Sequence, residues 1–223
     1  MLAHYVPLNG KQVFSYNMQQ LDFIFRNPTI TRLEVICHEI LHNFGFPDLY
    51  RHAFNGHPVG SWDIMATSTA NPQFPNSHSR LRYAGWGKPL EQITKTGNHT
   101  LYPIGSTSGT TAYAISTYNP NQFILLEYRS NSNGSGYDTY FGEDTEEYKY
   151  YKGLTITRIN TDFRGNANPD GNTNDEVYYY RPGETAVNCV FRPWADRVRA
   201  TSGHPFRRSP DICSGVIRTS TPE

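Results

Sequence analysis

The sequence lacks several features that mark common classes of protein. It has no run of about 18 apolar residues, so no segment is typical of a membrane-spanning helix. Its 20 acidic and 20 basic residues balance, which leaves no net field to attract nucleic acid or an anionic membrane. The first residues have neither the basic start nor the apolar run of a signal peptide. We therefore expect no nucleic-acid partner and no membrane span.

Cysteine is also scarce. The three cysteines are not spaced as a metal-binding pair. Cys37 falls inside a predicted helix, where we expect it to pack as a small apolar residue. Cys189 and Cys213 would pair in a secreted protein and stay reduced in a reducing compartment, so the sequence leaves their pairing open.

Residues 38–48 carry the densest chemical pattern, reading His-Glu-x-x-His-x-x-Gly-x-x-Asp. On a helix, His38 and His42 lie on one face about one turn apart, and two neutral imidazoles at that spacing can bind one zinc ion. Glu39 lies between them and is the candidate general base for a water whose pKa the zinc lowers. The pattern therefore predicts a hydrolytic metal site.

The residues after His42 complete that prediction. Gly45 can adopt the left-handed conformation that ends a helix and turns the chain back. Asp48 is then the first strong oxygen ligand available, so we expect zinc on His38, His42 and Asp48. The helix itself is predicted from the capping box Thr31–Glu34 and from apolar residues at helical spacing up to Phe44.

The loop after Asp48 holds three further candidate site residues. Tyr50 follows Asp48 by two residues, so it cannot lie far from the metal and is the candidate donor to the developing oxyanion. His52 and His57 are interpreted as ordinary loop side chains. The segment from Trp62 to Met65 is expected to form a buried turn.

From about residue 90 the pattern changes to short apolar and aromatic runs separated by Gly, Asn, Ser and Pro. Phe123–Leu126 is apolar on both faces, which predicts a central strand. We therefore predict an α+β protein with a catalytic region at 1–90 and a β-rich antiparallel sheet or sandwich portion at 91–223. Within the second portion, residues 168–176 place oxygen side chains at alternate positions and offer a calcium site that does not match the EF-hand pattern.

The stretch from Cys37 to Tyr50, followed by Val59–Met65, resembles the immune inhibitor A family of metzincin-type zinc metallopeptidases. The segment His78–Pro89 and the strand Asn121–Arg129 are similar to later parts of that family. The resemblance implies zinc on His38, His42 and Asp48 and Glu39 as general base. It also implies a zincin-like fold, secretion, protein or peptide substrates and, in many members, calcium.

The resemblance further implies that Met65 forms a turn under the metal. Some relatives place a tyrosine two residues after that methionine, where this chain has Thr67, so the oxyanion donor is assigned to Tyr50 only as a hypothesis. Only 37 residues precede His38, fewer than a full upper subdomain needs. We therefore expect a catalytic region that is shortened at its N-terminus relative to the family.

Two other functions remain open at this point. One is a β-rich binding module for a glycan or protein, with a degenerate or incomplete peptidase region; the many tyrosines suit such surfaces. The other is a zinc hydrolase that acts on a non-peptide bond. The leading prediction is a zinc endopeptidase.

Overall fold

The structure is a computed structural model that describes residues 6–13, 33–52, 56–67, 72–130, 138, 153–167, 174–180 and 215–218. These residues form two helices, α1 (Leu33–Asn43) and α2 (Ser77–Ala84). They also form strands β1 (Val6–Leu8), β2 (Lys11–Val13), β3 (Glu91–Gln92), β4 (Asn98–Leu101), β5 (Ala112–Ser116), β6 (Gln122–Arg129), β7 (Gly153–Asn160), β8 (Val177–Tyr179) and β9 (Gly215–Arg218). Within the described ranges no helix is long and apolar enough to cross a membrane.

Five strands form the main sheet, in the order β3-β5-β6-β7-β8. β3 runs parallel to β5, and the other neighbours are antiparallel. The predicted central strand is confirmed, because β6 is the middle strand and Leu125 and Leu126 belong to different apolar clusters. Since successive side chains of a strand point to opposite faces, the sheet is apolar on both sides of β6. Together with the two helices, this sheet confirms an α+β protein, although the parallel pair β3–β5 makes the sheet mixed rather than antiparallel throughout as predicted.

Two strands of the second half have no apolar run that would predict them. β3 is two exposed polar residues, Glu91 and Gln92, so it has no apolar alternation. β9 comes from the Arg- and Pro-rich tail and pairs with β4. Both depend on a partner distant in sequence, which local pattern cannot show.

The larger apolar cluster combines residues from both predicted portions. Phe46, Leu49 and Met65 come from the segments after α1, whereas Leu125 and Ile159 come from β6 and β7. All five side chains are almost fully buried. The segments that follow the His-Glu-x-x-His motif therefore pack directly on the sheet. The boundary near residue 90 stays a prediction.

Both ends of α2 have residues that are typical of helix caps. Asn76 is the N-cap, and its side-chain oxygen accepts the N–H of Ser79. Gly85 closes the helix in the left-handed region, with φ of 66°. Near the N-terminus, Asn9 and Gly10 both have positive φ and form the turn that joins β1 to β2.

Some predicted features lie outside the described residues: the capping residue Thr31, residues 168–173 of the calcium loop, and Cys189 and Cys213. Cys37 is a free thiol that packs half-buried against the larger cluster, as predicted. Burial raises the pKa of this thiol, and the charge of Glu34 adds to that effect. Cys37 is thus a packing residue rather than a reactive one.

Candidate metal centre

Helix α1 presents both histidines of the motif to the same carboxylate. The Nε2 atom of His38 lies 3.3 Å from Oδ1 of Asp48, and the Nε2 atom of His42 lies 3.2 Å from the same oxygen. One donor atom from each of the three residues falls within 4.8 Å of the others. The two imidazole rings are 4.8 Å apart and nearly perpendicular. Among the described residues this is the one such group of His, Cys, Asp and Glu side chains.

The other ring nitrogen of each histidine is bound to a backbone carbonyl. Nδ1 of His38 lies 2.8 Å from the carbonyl oxygen of Ile64, and Nδ1 of His42 lies 2.8 Å from that of Phe46. A carbonyl oxygen can only accept, so the N–H must be on Nδ1 in both rings. In the neutral imidazoles the Nε2 lone pairs then point toward Asp48. This is the tautomer that a metal-ligating histidine requires.

Oδ1 of Asp48 is the third acceptor atom at the centre, beside Nε2 of His38 and Nε2 of His42. This oxygen is buried, and no hydrogen bond of acceptable geometry reaches it, although both imidazoles lie at ion-pair distance. Buried polar atoms are nearly always satisfied, so an acceptor facing two further acceptors calls for a positive charge between them. The donor set of two imidazoles and one carboxylate therefore fits a divalent cation.

The titration behaviour agrees with that geometry. Burial acts to raise the pKa of Asp48, but contacts with His38 and His42 outweigh it and hold the pKa below its ordinary value. Burial acts to lower the pKa of His38, but Asp48 and the Ile64 carbonyl raise it overall. For His42 the contact with Asp48 is the largest cause of a raised pKa. Positive charge is thus favoured at the centre, whether carried by protons or by a cation.

The turn after α1 brings Asp48 back to the helix. Gly45 has φ of 91°, its N–H donates to the carbonyl of His42, and the N–H of Phe46 donates to that of Leu41. These two bonds are a Schellman motif, with Phe46 and Leu41 both packed in the larger cluster. The same turn points the Phe46 carbonyl at His42. The predicted role of Gly45 is therefore confirmed.

The loop that carries Met65 contacts the centre through the Ile64 carbonyl, which lies next to Nδ1 of His38. Met65 is fully buried, and its carbonyl accepts the N–H of Leu49 at 2.8 Å. The carboxylate of buried Asp63 accepts the N–H of Met65 at 2.9 Å and both the backbone and side-chain N–H of Asn76 at 2.8 and 2.9 Å. The N-cap of α2 therefore fixes the loop whose Ile64 carbonyl orients His38.

Glu39 and Tyr50 lie beside the three converging residues. Glu39 is half-buried on α1, and its charge raises the pKa values of both His42 and Tyr50, so it is close to each. Burial, the charge of Asp48 and a hydrogen bond to that carboxylate raise the pKa of Tyr50 to about 12. Tyr50 is thus protonated at neutral pH, and its hydroxyl contacts Asp48.

The remaining candidates near the motif stay at the periphery. The ring of His52 contacts that of Tyr50 edge-on at 5.3 Å, and both His52 and His57 are exposed. Neither belongs to the converging group of described residues. Thr67, at the position where some relatives have tyrosine, donates its N–H to the Asp63 carbonyl.

Two acids of the predicted calcium loop have other partners. Asp175 forms a buried ion pair with Arg51. Glu176 accepts hydrogen bonds from His78, Arg82, Tyr83 and the N–H of Gly165. The calcium prediction therefore depends on residues 168–173, outside the described ranges.

Sequence reasoning missed the groups that orient the three converging residues. Two of them are the backbone carbonyls of Ile64 and Phe46, and every residue has such a carbonyl, so the residue types do not predict this role. A third is Asn166, whose N–H donates to the Asp48 carbonyl from more than a hundred residues away. An isolated asparagine in a loop carries no signal of such a contact.

Comparison of the chain with protein-family models, with curated proteins and with solved structures found no match. Its function is therefore inferred from the motif and from the geometry given above.

Proposed function

We propose that this protein is a zinc-dependent endopeptidase of the His-Glu-x-x-His-x-x-Gly-x-x-Asp type, with zinc on His38, His42 and Asp48. The observation that carries the proposal is the convergence of two Nε2 lone pairs on the orphaned Oδ1 of Asp48, at 3.3 and 3.2 Å. An Oδ1 with a purely structural role would face hydrogen-bond donors instead. Three acceptor atoms around one point require a positive charge between them, which a divalent cation supplies.

The distances and the donor types fit zinc better than calcium or magnesium. Nitrogen and oxygen ligands lie about 2.0–2.1 Å from tetrahedral zinc, which puts any two of them about 3.3–3.4 Å apart. The two separations from Asp48 to the imidazoles are close to that value. Calcium and magnesium prefer six or more oxygen ligands, which this centre does not offer. Three protein ligands also leave the fourth position open, as in catalytic zinc sites.

When bound, zinc would polarise the scissile carbonyl and lower the pKa of a water molecule to near neutrality. Glu39 would be the general base that accepts a proton from the attacking water and the general acid that returns it to the leaving amine. Tyr50 keeps its phenolic proton at neutral pH, and its hydroxyl would turn from the Asp48 carboxylate to donate that hydrogen bond to the developing oxyanion. The carbonyls of Ile64 and Phe46 hold the proton of each ring on Nδ1, which leaves the Nε2 atoms of His38 and His42 to bind the cation.

Peptides are proposed as substrates from the resemblance to immune inhibitor A-like metallopeptidases. Buried Met65 in the loop next to the histidines supports a metzincin-type arrangement. A zincin-like catalytic region, secretion and a protein or peptide substrate belong to the same proposal.

The test combines metal content with turnover. Purified protein should contain about one zinc per chain and cleave casein, and a chelator should abolish cleavage until zinc is restored. His42→Ala should lose the zinc, while Glu39→Gln should keep it and lose about 10²–10⁴-fold in kcat. His99→Ala is the matched control, because His99 lies on β4 and contacts the carbonyl of Lys95. A chain that binds no zinc, or cleaves ester but not peptide substrates, would contradict the proposal.

A further inference from the structure

Two consecutive carbonyls of the ligand segment are held by a single distant residue, Asn166. The Asp48 carbonyl accepts the backbone N–H of Asn166 at 2.9 Å, and the Leu49 carbonyl accepts its side-chain N–H at 3.0 Å. Asn166 lies in the loop that follows β7, more than a hundred residues after the motif in the sequence. Nothing in the reaction proposed above requires Asn166 to touch substrate.

The same side chain is anchored on the sheet. Its Nδ2 also donates to the Val177 carbonyl at 2.7 Å, and its Oδ1 accepts the N–H of Val177 at 3.0 Å. Asn166 is fully buried, and both the nitrogen and the oxygen of its side-chain amide are hydrogen-bonded, so the amide is held in one orientation. It bridges the edge strand β8 to the segment that carries Asp48.

The residue before it fixes the separation between the two segments. Gly165 has φ of 72°, and a Cβ there would lie 2.6 Å from the Asp48 carbonyl oxygen and 2.7 Å from Cβ of Pro47. Its own N–H is bound by the Glu176 carboxylate. Only glycine permits this approach, so the loop and the ligand segment meet at one distance.

The Asp48 carboxylate accepts a hydrogen bond from Tyr50, but its Oδ1, which faces the imidazoles, has no hydrogen bond. The direction of that oxygen therefore also depends on the backbone, where Asn166 donates to the Asp48 carbonyl and the Leu49 N–H donates to the Met65 carbonyl. We propose that Asn166, backed by Gly165, is a positioning residue that sets the third metal ligand, so that the β-rich portion of the chain determines the metal affinity of the motif. This inference rests on the proposed zinc site, and its test separates the two.

The first test is the isosteric change Asn166→Asp. It conserves volume but replaces a double donor with an oxygen that faces the carbonyls of Leu49 and Val177. Outer partners of metal ligands typically contribute 10–100-fold in affinity, so we expect zinc to bind about 10–100-fold more weakly in competition with a chelator. The visible spectrum of the cobalt(II)-substituted protein should change as well, because Asp48 moves relative to the imidazoles.

Two controls separate positioning from general destabilisation. Asn98→Asp makes the same change on an exposed strand residue, and it should leave zinc affinity and the cobalt spectrum unchanged. Leu126→Ala removes a side chain from the smaller apolar cluster and should lower Tm while leaving zinc affinity unchanged below Tm. A loss of affinity in Leu126→Ala equal to that in Asn166→Asp would overturn the inference.

Amide hydrogen exchange of the wild-type chain provides a test that does not depend on whether any variant folds. If Asn166 and the metal act on the same ligand, zinc must stabilise the loop as much as the loop stabilises the bound zinc. Zinc should therefore slow amide hydrogen exchange in 161–167 as well as in 38–48, and leave 98–101 unchanged. Protection limited to 38–48, or a folded Asn166→Asp chain with wild-type affinity and spectrum, would overturn the inference while the zinc site stands. A wild-type chain without zinc affinity would overturn both.

Discussion

Two carboxylates of this protein, Asp48 and Glu176, sit in opposite kinds of surroundings. Glu176 is fully buried and accepts from four donors: the N–H of Gly165, the hydroxyl of Tyr83, the imidazole of His78 and the guanidinium of Arg82. Asp48 is half-buried and faces two imidazole nitrogens whose protons are on the other side of the rings. One carboxylate has its acceptor capacity filled by the protein, and the other does not.

The direction of the pKa does not distinguish the two, since both values are lowered. Burial raises the pKa of Glu176, but hydrogen bonds from His78, Tyr83 and Gly165 outweigh it. What separates the two sites is whether donors or acceptors surround the oxygen atoms. A carboxylate surrounded by donors ties elements together, whereas one that meets further acceptors is arranged for a cation.

The largest expected difference comes from the same amide substitution at each site. Glu176→Gln places an NH₂ group against donors and should lower the free energy of unfolding by about 3–5 kcal/mol, as for other broken buried ion pairs. Asp48→Asn offers a donor to a neighbouring imidazole, so the metal-free chain at pH 9 should change by less than about 1 kcal/mol. Zinc affinity should fall strongly in Asp48→Asn. Denaturant unfolding of metal-free protein and chelator competition measure the two effects.

That contrast would fail if the order of the two unfolding effects were reversed. A strong loss of stability in metal-free Asp48→Asn would mean that Asp48 is structural. A neutral Glu176→Gln would mean that the four donors find other partners.

A smaller effect is expected at Tyr50, which contacts Asp48 rather than Glu176. Tyr50→Phe removes one donor to the developing oxyanion and should lower kcat about 100-fold, with zinc affinity within a few-fold of wild type. Peptide-cleavage kinetics and chelator competition on the same preparation measure both quantities. If zinc affinity falls and kcat at saturating zinc does not, then Tyr50 orients Asp48 and takes no part in stabilising the oxyanion.

The smallest effect is the acid dependence of stability. The pKa of Glu176 in the folded chain is below its ordinary value of 4.5, so the unfolded chain takes up the proton first. Its stabilising contribution is complete above about pH 4.5 and is lost as the pH falls through the folded-state pKa, by at most about 1.4 kcal/mol per pH unit. Denaturant unfolding between pH 3 and pH 6 should show a shallower slope in Glu176→Gln than in wild type. Parallel slopes would contradict the role assigned to Glu176.

Much of the local structure follows from the residue pattern. The helix through residues 33–43, the left-handed Gly45, the Asn76 and Gly85 ends of α2 and the central strand β6 are all visible in spacing and turn chemistry. The partners of Asp175 and Glu176 are not, because those acids are drawn inward by Arg51, His78, Arg82 and Tyr83 from distant elements. An acid-rich run in a sequence predicts calcium and interior ion pairs equally well.

The sequence alone determines that His38 and His42 lie on one helical face with Glu39 between them, because a helix repeats over four residues. It also determines the turn that lets Asp48 return. The tertiary structure decides which ring nitrogens carry the protons, and it leaves Oδ1 of Asp48 without a hydrogen bond. It also decides that a loop at 165–166 holds the ligand segment. Those features depend on backbone carbonyls and on contacts across more than a hundred residues, and neither leaves a periodic signal in the chain.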